Sequence, residues 1–319
     1  MFISKVIMNL KGLGALSIPR VFFNMQLISK LNALKKLKND EILHIKNRLN
    51  YYNKINDFFE LKKIENVEHS KLGENLLKNT SYSFDFYKVS KYFHKDLKIN
   101  KFFYDCSSEF LNTITKSRPI DSKNVILKLD SRRHFCFLND KNDFKDKVDL
   151  AVFRGACVQQ NRIDFINKFK DCKRLNLGNV NKKNRSGYLS KEEQLKYKFI
   201  ISLEGWDVAT NLKWIMSSNS IAITPRLKYE TWFMEGKLIP NEHFLLIKDD
   251  FSDILDVMDN ALTNDKLVKN IIKNQNEYIQ QFLNPNIEEL LGILVLAKYF
   301  YYSNQIKLDN FVIELFDGI

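Results

Sequence analysis

The sequence predicts an α/β protein built on a parallel sheet, and three observations carry that prediction. First, residues 199–226, FIISLEGWDVATNLKWIMSSNSIAITPR, read as strand, glycine turn, helix and strand. The run Phe199–Leu203 is short, apolar and β-branched, Glu204-Gly205 breaks it, and Val208, Leu212, Ile215 and Met216 recur at helical spacing. Second, further runs (Val125–Leu129, Asp149–Phe153 and His243–Ile247) read as strands, with helix-patterned segments after Gly155 and from Tyr229, in keeping with a parallel sheet. Third, 45% hydrophobic residues with only 10 Gly and 5 Pro in 319 residues support a large core and exclude fibrous or low-complexity chains.

In chain order, Ser17 and Pro19 open an expected helix over 18–38, with Val21, Phe22, Met25, Ile28, Leu31 and Leu34 near helical spacing and Lys30, Lys35, Lys36 and Lys38 toward its end. Such a basic amphipathic segment suits either an anionic membrane surface or a solvated domain face. A second helix is expected from Glu41 to Phe59. Residues 60–104 hold an aromatic-rich patch, Tyr82, Phe84, Phe86, Tyr87, Tyr92 and Phe93, read as core rather than as a sugar-stacking surface.

The strand Val125–Leu129 ends at Asp130, with Arg132, Arg133 and His134 just beyond. A carboxylate at a strand's end beside cations is placed either as a base or as a salt-bridge partner. Asp149–Gly155 opens the next strand, followed by a helix carrying Arg162, Phe165, Ile166 and Phe169. Leu175–Gly178 is a further strand, residues 179–186 a basic solvated loop with Lys182, Lys183 and Arg185, and Ser190–Glu193 a capping-box helix start. In the 199–226 unit Asp207 is the expected N-cap, and the helix N-terminus there suits a phosphate. Tyr229–Phe233 is expected to open another helix, where Glu230 either meets ribose hydroxyls or complements the helix dipole. Asp249-Asp250 reads as a helix cap, and two helices follow over 264–283 and 286–304.

Net charge is +12, and residues 1–50 hold nine Lys or Arg against Asp40 and Glu41, so +7 of it lies there. Such a surface attracts anionic membranes, phosphorylated ligands or nucleic acid, and no nucleic-acid-binding motif is present. Cys106, Cys136, Cys157 and Cys172 form no CxxC pair and have no His at metal-ligand spacing, so reduced thiols in a cytoplasmic protein are expected. A secretory signal is not expected, and no run reaches about 20 apolar residues.

The wording EGWDVATNLKWIMSSNS, followed by Lys228-Tyr229-Glu230-Thr231-Trp232-Phe233-Met234-Glu235-Gly236-Lys237-Leu238-Ile239-Pro240, resembles the C-terminal part of glycosyltransferase family 90. It is most like the bacterial lipopolysaccharide-type members, whose eukaryotic relatives are protein O-glucosyltransferases and capsule-associated xylosyltransferases. The resemblance runs from about Asp105 to about Ser303. It implies a GT-B architecture, two Rossmann-like domains facing a cleft with a C-terminal helix crossing back. Residues 1–147 would be the acceptor-side domain, 148–285 the nucleotide-sugar domain, and 286–319 the crossing helix and tail.

The resemblance further implies inverting transfer of a hexose, glucose or galactose, from a UDP-sugar to a sugar hydroxyl of a lipopolysaccharide or lipooligosaccharide core. Asp130 matches the catalytic base, with Asp105 and Asp140 as fallback candidates. Arg154, Gly155 and Arg162 match the donor phosphate site, and Gly205, Asp207, Asn211 and Glu230 join it on the donor side. Where eukaryotic members place Ser and Arg on the helix after the glycine, this chain has Ala209 and Asn211, and Trp206 follows Gly205 where bacterial members often carry Asn. Phosphate charge is therefore expected on Arg154, Arg162, Lys213 or Arg226. Neither a metal nor a cofactor is expected, since no DxD pair stands at a strand end. The expected partners are the donor and a glycolipid or oligosaccharide acceptor, with membrane contact through 18–38, at the inner face of the inner membrane. The rival expectations are a non-catalytic nucleotide- or glycan-binding protein, or a basic membrane-surface protein.

Overall fold

The structure, a computed structural model, describes residues 16–181 and 187–317 together with residues 10 and 14. The basic loop residues Lys182, Lys183 and Arg185 lie outside the described residues. The strands are β1 (Glu68–Lys71), β2 (Lys98–Phe102), β3 (Ile114–Thr115), β4 (Ser117–Pro119), β5 (Val125–Ile126), β6 (Val148–Gly155), β7 (Leu175–Asn179), β8 (Tyr197–Ile201), β9 (Ile221–Thr224), β10 (Tyr229–Thr231) and β11 (Leu245–Leu246). The α-helices are α1 (Arg20–Asn24), α2 (Leu27–Asn32), α3 (Asn39–Tyr52), α4 (Thr80–Ser90), α5 (Ser131–His134), α6 (Gln160–Phe169), α7 (Lys191–Gln194), α8 (Leu212–Ile215), α9 (Ile254–Thr263), α10 (Asp265–Gln280), α11 (Pro285–Tyr302) and α12 (Asn310–Ile313).

The chain divides into two compact units, Met1–Ser131 with Asn284–Ile319, and Arg132–Leu283. The first boundary lies at 131/132 instead of 147/148 because the intervening segment is built into the second unit. There the buried Asp140 carboxylate takes Lys147 Nζ at 2.7 Å and the Asn219 N–H at 3.0 Å, and the Leu138 N–H donates to Ser217 Oγ.

In the first unit the sheet order is β1-β2-β3-β5. β2, β3 and β5 run parallel, and β1 is an antiparallel edge. Against this unit's core lies α11, buried almost all round from Leu290 to Phe300, as its apolar run, interrupted only by the buried Lys298, requires. Its one buried carboxylate, Glu288, meets Arg48 of α3 at 2.6 Å and Lys128 at 2.7 Å. The aromatic patch is core: Tyr82, Phe84, Phe86, Tyr87, Tyr92 and Phe93 are all buried.

Two expected helices are shorter than their patterns. The 18–38 segment breaks into α1, α2 and a 3-10 turn at Ala33–Lys36. Arg20 there donates to the carbonyls of Leu72, Ser90 and Phe93, which ties α1 down ahead of the break. α3 stops at Tyr52, because Asn53 leaves helical geometry and its side chain donates to Val295 O while accepting the Ile55 N–H.

The second unit holds a five-stranded sheet of order β11-β9-β8-β6-β7, every pairing parallel. Its central strands are buried on both faces, which is why they read as continuous apolar runs rather than alternating ones. Phe153, Phe165, Phe199, Ile201, Ile223, Ile254, Met258 and Ile271 form one core between the sheet and helices α6, α9 and α10. Full burial of each such side chain contributes about 1.5–3 kcal/mol.

Two local expectations within this unit are corrected. Tyr229–Thr231 is strand β10, not a helix start, and Glu230 lies buried within it. The helix after Gly205 begins only at Leu212 and lasts four residues. Gly205–Asn211 is held as an irregular turn instead: the Gly205 N–H donates to Asp207 O, and Asn211 bridges Ser202 Oγ and Ile201 O. One turn of helix has little macrodipole, so it does not supply the phosphate-binding N-terminus expected at Gly205.

Candidate functional site

Because β6, β8, β9 and β11 are parallel, their carboxyl ends share one edge of the second unit's sheet. Ligands of open parallel sheets bind along that edge. β8 delivers Leu203, Glu204 and Gly205 there, β9 delivers Thr224, Pro225 and Arg226, and the segment after β11 delivers Asp249 and Phe251. All of these except Gly205, together with Asn161 and Lys228, line a cavity of about 60 Å³. Ligand pockets run to roughly 300 Å³ or more, so this one admits only part of a nucleotide-sized molecule.

Arg162, on α6, is the cation most deeply set into this edge. Nη1 donates to Ala156 O at 3.1 Å and Nη2 to Leu203 O at 2.6 Å, so the guanidinium is fixed across the end of β8. Nε is buried and makes no hydrogen bond to the described residues, and Gln159 Oε1 beside it is in the same condition. Burial lowers the Arg162 pKa, partly offset by Cys157 and Asp207. Gly205 passes directly beneath: a β-carbon there would come within 3.2 Å of Arg162 Nη2 and 3.4 Å of Gln159 Nε2. This crowding gives a physical reason for the glycine after β8.

Arg154 is placed differently. On β6 it lies across β7, donating to Phe153 O and Asn176 O at 2.8 Å and to Asn176 Oδ1 at 2.7 Å, and Nε donates to Gly187 O. Its register partner is Gly178, where a β-carbon would come within 2.7 Å of Arg154 Cδ. Arg154 therefore ties two strands and a loop together, and Gly155 next to it ends the strand with its carbonyl on the Val180 N–H. Lys213 is withdrawn as well. It is fully buried, its Nζ lies 2.5 Å from Glu235 Oε1, and Glu235 also takes the Thr231 N–H at 2.6 Å. That closed pair removes Lys213 from the cations able to meet a phosphate directly.

Arg226 and Lys228 are exposed at the cavity mouth. Lys228 approaches Asp249 at 3.8 Å, while Arg226 forms no ion pair among the described residues. Asp207 is buried near Arg162, and Asn211 is a structural brace. The edge thus brings together Arg162, Gly205, Asp207 and Arg226. It leaves Arg154, Asn211 and Lys213 in supporting contacts.

Sequence reasoning passed over Glu204. Its carboxylate accepts the backbone N–H groups of Lys228 at 3.2 Å and Tyr229 at 3.1 Å, and Asn161 Nδ2 donates to its carbonyl. Burial raises its pKa to about 7, against the pull of those N–H groups. A carboxylate between a buried strand and a glycine is the signal that could have singled it out.

Asp130 belongs to the first unit, four residues beyond β5. It adopts φ 51°, a left-handed conformation uncommon outside Gly and Asn, and is 1% exposed. The next residue is anchored: the Ser131 N–H donates to Asp85 Oδ2 of α4 at 2.7 Å. The fallback carboxylates are engaged, Asp105 with the buried Lys116 at 2.5 Å and Asp140 with Lys147. Among the described residues no group of three His, Cys, Asp or Glu could hold a metal ion.

The family model for glycosyl transferase family 90 matches residues 128–290. The O-glucosyltransferase LpsA of Dichelobacter nodosus is 36% identical over 266 residues, covering 80% of this chain and 82% of that protein. Human protein O-glucosyltransferase 3 is 25% identical over 169 residues, 48% of this chain and 32% of that one.

Proposed function

Because the chain belongs to glycosyl transferase family 90, we propose that it transfers a hexose from a UDP-sugar to a sugar hydroxyl of a lipopolysaccharide or lipooligosaccharide core. Glucose and galactose are the candidate sugars, and glucose is favoured because both relatives are O-glucosyltransferases. The observation that carries the donor side is Arg162: a guanidinium fixed across the end of β8, with a buried Nε unmatched by any described residue and only a glycine between it and the sheet edge.

In this reading the acceptor oxygen attacks the anomeric carbon as the bond from that carbon to the β-phosphate oxygen breaks. The acceptor's proton passes to the Asp130 carboxylate. The electron pair leaves on UDP, whose charge is met by Arg162 and by the exposed Arg226. One displacement inverts the anomeric centre. Asp130 is closed off in the structure, so its covering residues must open for the acceptor to reach it. Arg154, Gly155, Lys213 and Asn211 support the site from behind, while Asp207 and Glu230 are buried donor-side carboxylates in reserve. The GT-B architecture and a reaction without metal or cofactor belong to the same proposal.

The N-terminal segment is assigned to the membrane surface. No described helix is long and apolar enough to cross a membrane. Yet Val21, Phe22, Met25 and Ile28 are 58, 59, 77 and 71% exposed, an apolar stripe at helical spacing followed by Lys35, Lys36 and Lys38. Exposed apolar side chains beside cations fit an anionic lipid surface, the inner face of the inner membrane, where a glycolipid acceptor would be met. The rival reading, a non-catalytic nucleotide or glycan binder, separates cleanly in one assay. Incubation with UDP-glucose and a core oligosaccharide should release UDP together with a glycosylated product, whereas a binder gives saturable UDP affinity and no product.

A further inference from the structure

A cavity of about 350 Å³ in the first unit takes no part in the chemistry above. It opens where β1 begins and β2 ends, at the register pair Glu68↔Lys101. Its walls include Asn75, Asn79, Phe103 and Tyr104. The volume lies at the lower end of the range for small-ligand sites.

Lys101 gives the cavity its chemistry. The side chain is 5% exposed, and Nζ stands 5.4 Å from the Phe103 ring centre and 3.3 Å from Glu68 Oε1. Burial pulls its pKa down while Glu68 holds it up. An ammonium carries three donors, and Glu68 is its only carboxylate within salt-bridge distance among the described residues. Glu68 is itself shared, with Asn75 Nδ2 at 2.6 Å and with the exposed Lys78 at 3.8 Å. Glu74, which also acts on Lys101, has its carboxylate on the Lys71 N–H. A half-satisfied buried cation, side-chain amides and exposed aromatic surface at Tyr104 suit a polyhydroxylated ring bearing an anionic group.

Topology relates this cavity to Asp130. β2, β3 and β5 are parallel, so their carboxyl ends share an edge. β2 runs out into the cavity wall at Phe102, β3 into the buried Lys116, and β5 toward Asp130. With strands about 4.8 Å apart, Phe102 and Ile126 lie roughly 10 Å apart across the sheet, and Asp130 follows Ile126 by four residues, a span on the scale of a short oligosaccharide. Helix α4 serves both: Ser83 lines the cavity and Asp85 holds the Ser131 N–H.

We infer that this cavity binds an anionic sugar residue of the acceptor glycan, carrying a carboxylate or a phosphate, with Lys101 on the anionic group and Tyr104 against the ring. A sugar farther along the same glycan then offers its hydroxyl to Asp130. The assignment rests on the glycosyl-transfer reading, but binding can be measured without transfer.

The test titrates the full chain with glucuronate, glucose 6-phosphate and glucose, without donor, by ligand-observed NMR. The expected result is at least tenfold tighter binding of one anionic sugar than of glucose; which of the two binds identifies the group. Lys101→Met should abolish that preference, and the rim variants Lys78→Ala and Tyr104→Ala should weaken binding while leaving the fold unchanged. Equal binding of all three sugars, or an anionic preference that survives in Lys101→Met, overturns the assignment. A chain that glycosylates its acceptor yet shows no such preference loses this cavity alone. A chain that shows the preference but transfers nothing loses the transfer reading alone.

Discussion

The backbone of Gly205 runs so close under Arg162 that a single added methyl would meet Nη2 at 3.2 Å. Arg162 cannot retreat freely, because its two terminal nitrogens hold Ala156 O and Leu203 O. Gly205→Ala should therefore displace the guanidinium by a few tenths of an ångström and weaken UDP binding about tenfold, or ~1.4 kcal/mol. Arg162→Lys keeps the charge but loses the planar fork, and a loss of similar size is expected. Calorimetric titration with UDP checks both, and unchanged affinity in both would remove Arg162 from the donor site.

Lys213 tests the opposite claim, that a cation is present but engaged. Removing it leaves Glu235 buried without its partner, which costs about 3–5 kcal/mol. Lys213→Met should lower the free energy of unfolding, measured in urea, by that amount while the folded protein keeps its UDP affinity. If affinity falls at full folding, Lys213 touches the donor after all.

The pH dependence of stability should carry the mark of Glu204. Its carboxyl rises from 4.5 to about 7 on folding, so the folded protein holds a proton that the unfolded chain releases. The stability contributed by that proton is fully present below about pH 4.5 and is lost as pH rises through about 7. The span is on the order of 3 kcal/mol at most. Urea unfolding at pH 5 and pH 8 should show Glu204→Gln losing much less stability than the parent between the two. Parallel pH profiles would show that Glu204 ionises as an ordinary carboxyl.

The exposed stripe of α1 and α2 should seat on lipid. Phe22→Asp with Met25→Asp should abolish co-sedimentation with vesicles containing anionic lipid, with little change in stability, since both side chains are exposed. Binding that persists in the double variant would place any membrane contact elsewhere.

The parallel sheet of the second unit was legible because its strands are buried on both faces and so spell unbroken apolar runs, as at Phe199–Ile201 and Ile221–Thr224. The all-round apolar pattern of α11 was legible for the same reason. The turn after β8 was not. Val208, Leu212 and Ile215 keep helical spacing, but Asn211 bonds back to Ser202 and Ile201 and confines the helix to one turn. Pattern also cannot tell an available cation from an engaged one. Lys213 and Arg162 both follow a strand by a short interval, and only tertiary structure sets one on Glu235 and the other across the end of β8.

The most direct test replaces Asp130 with Asn, which nearly preserves shape and removes the base. Transfer from UDP-glucose to the core oligosaccharide should fall by roughly 10²–10⁴-fold, with UDP affinity unchanged. Transfer at the parent rate in Asp130→Asn would contradict the role given to Asp130 and the displacement built on it.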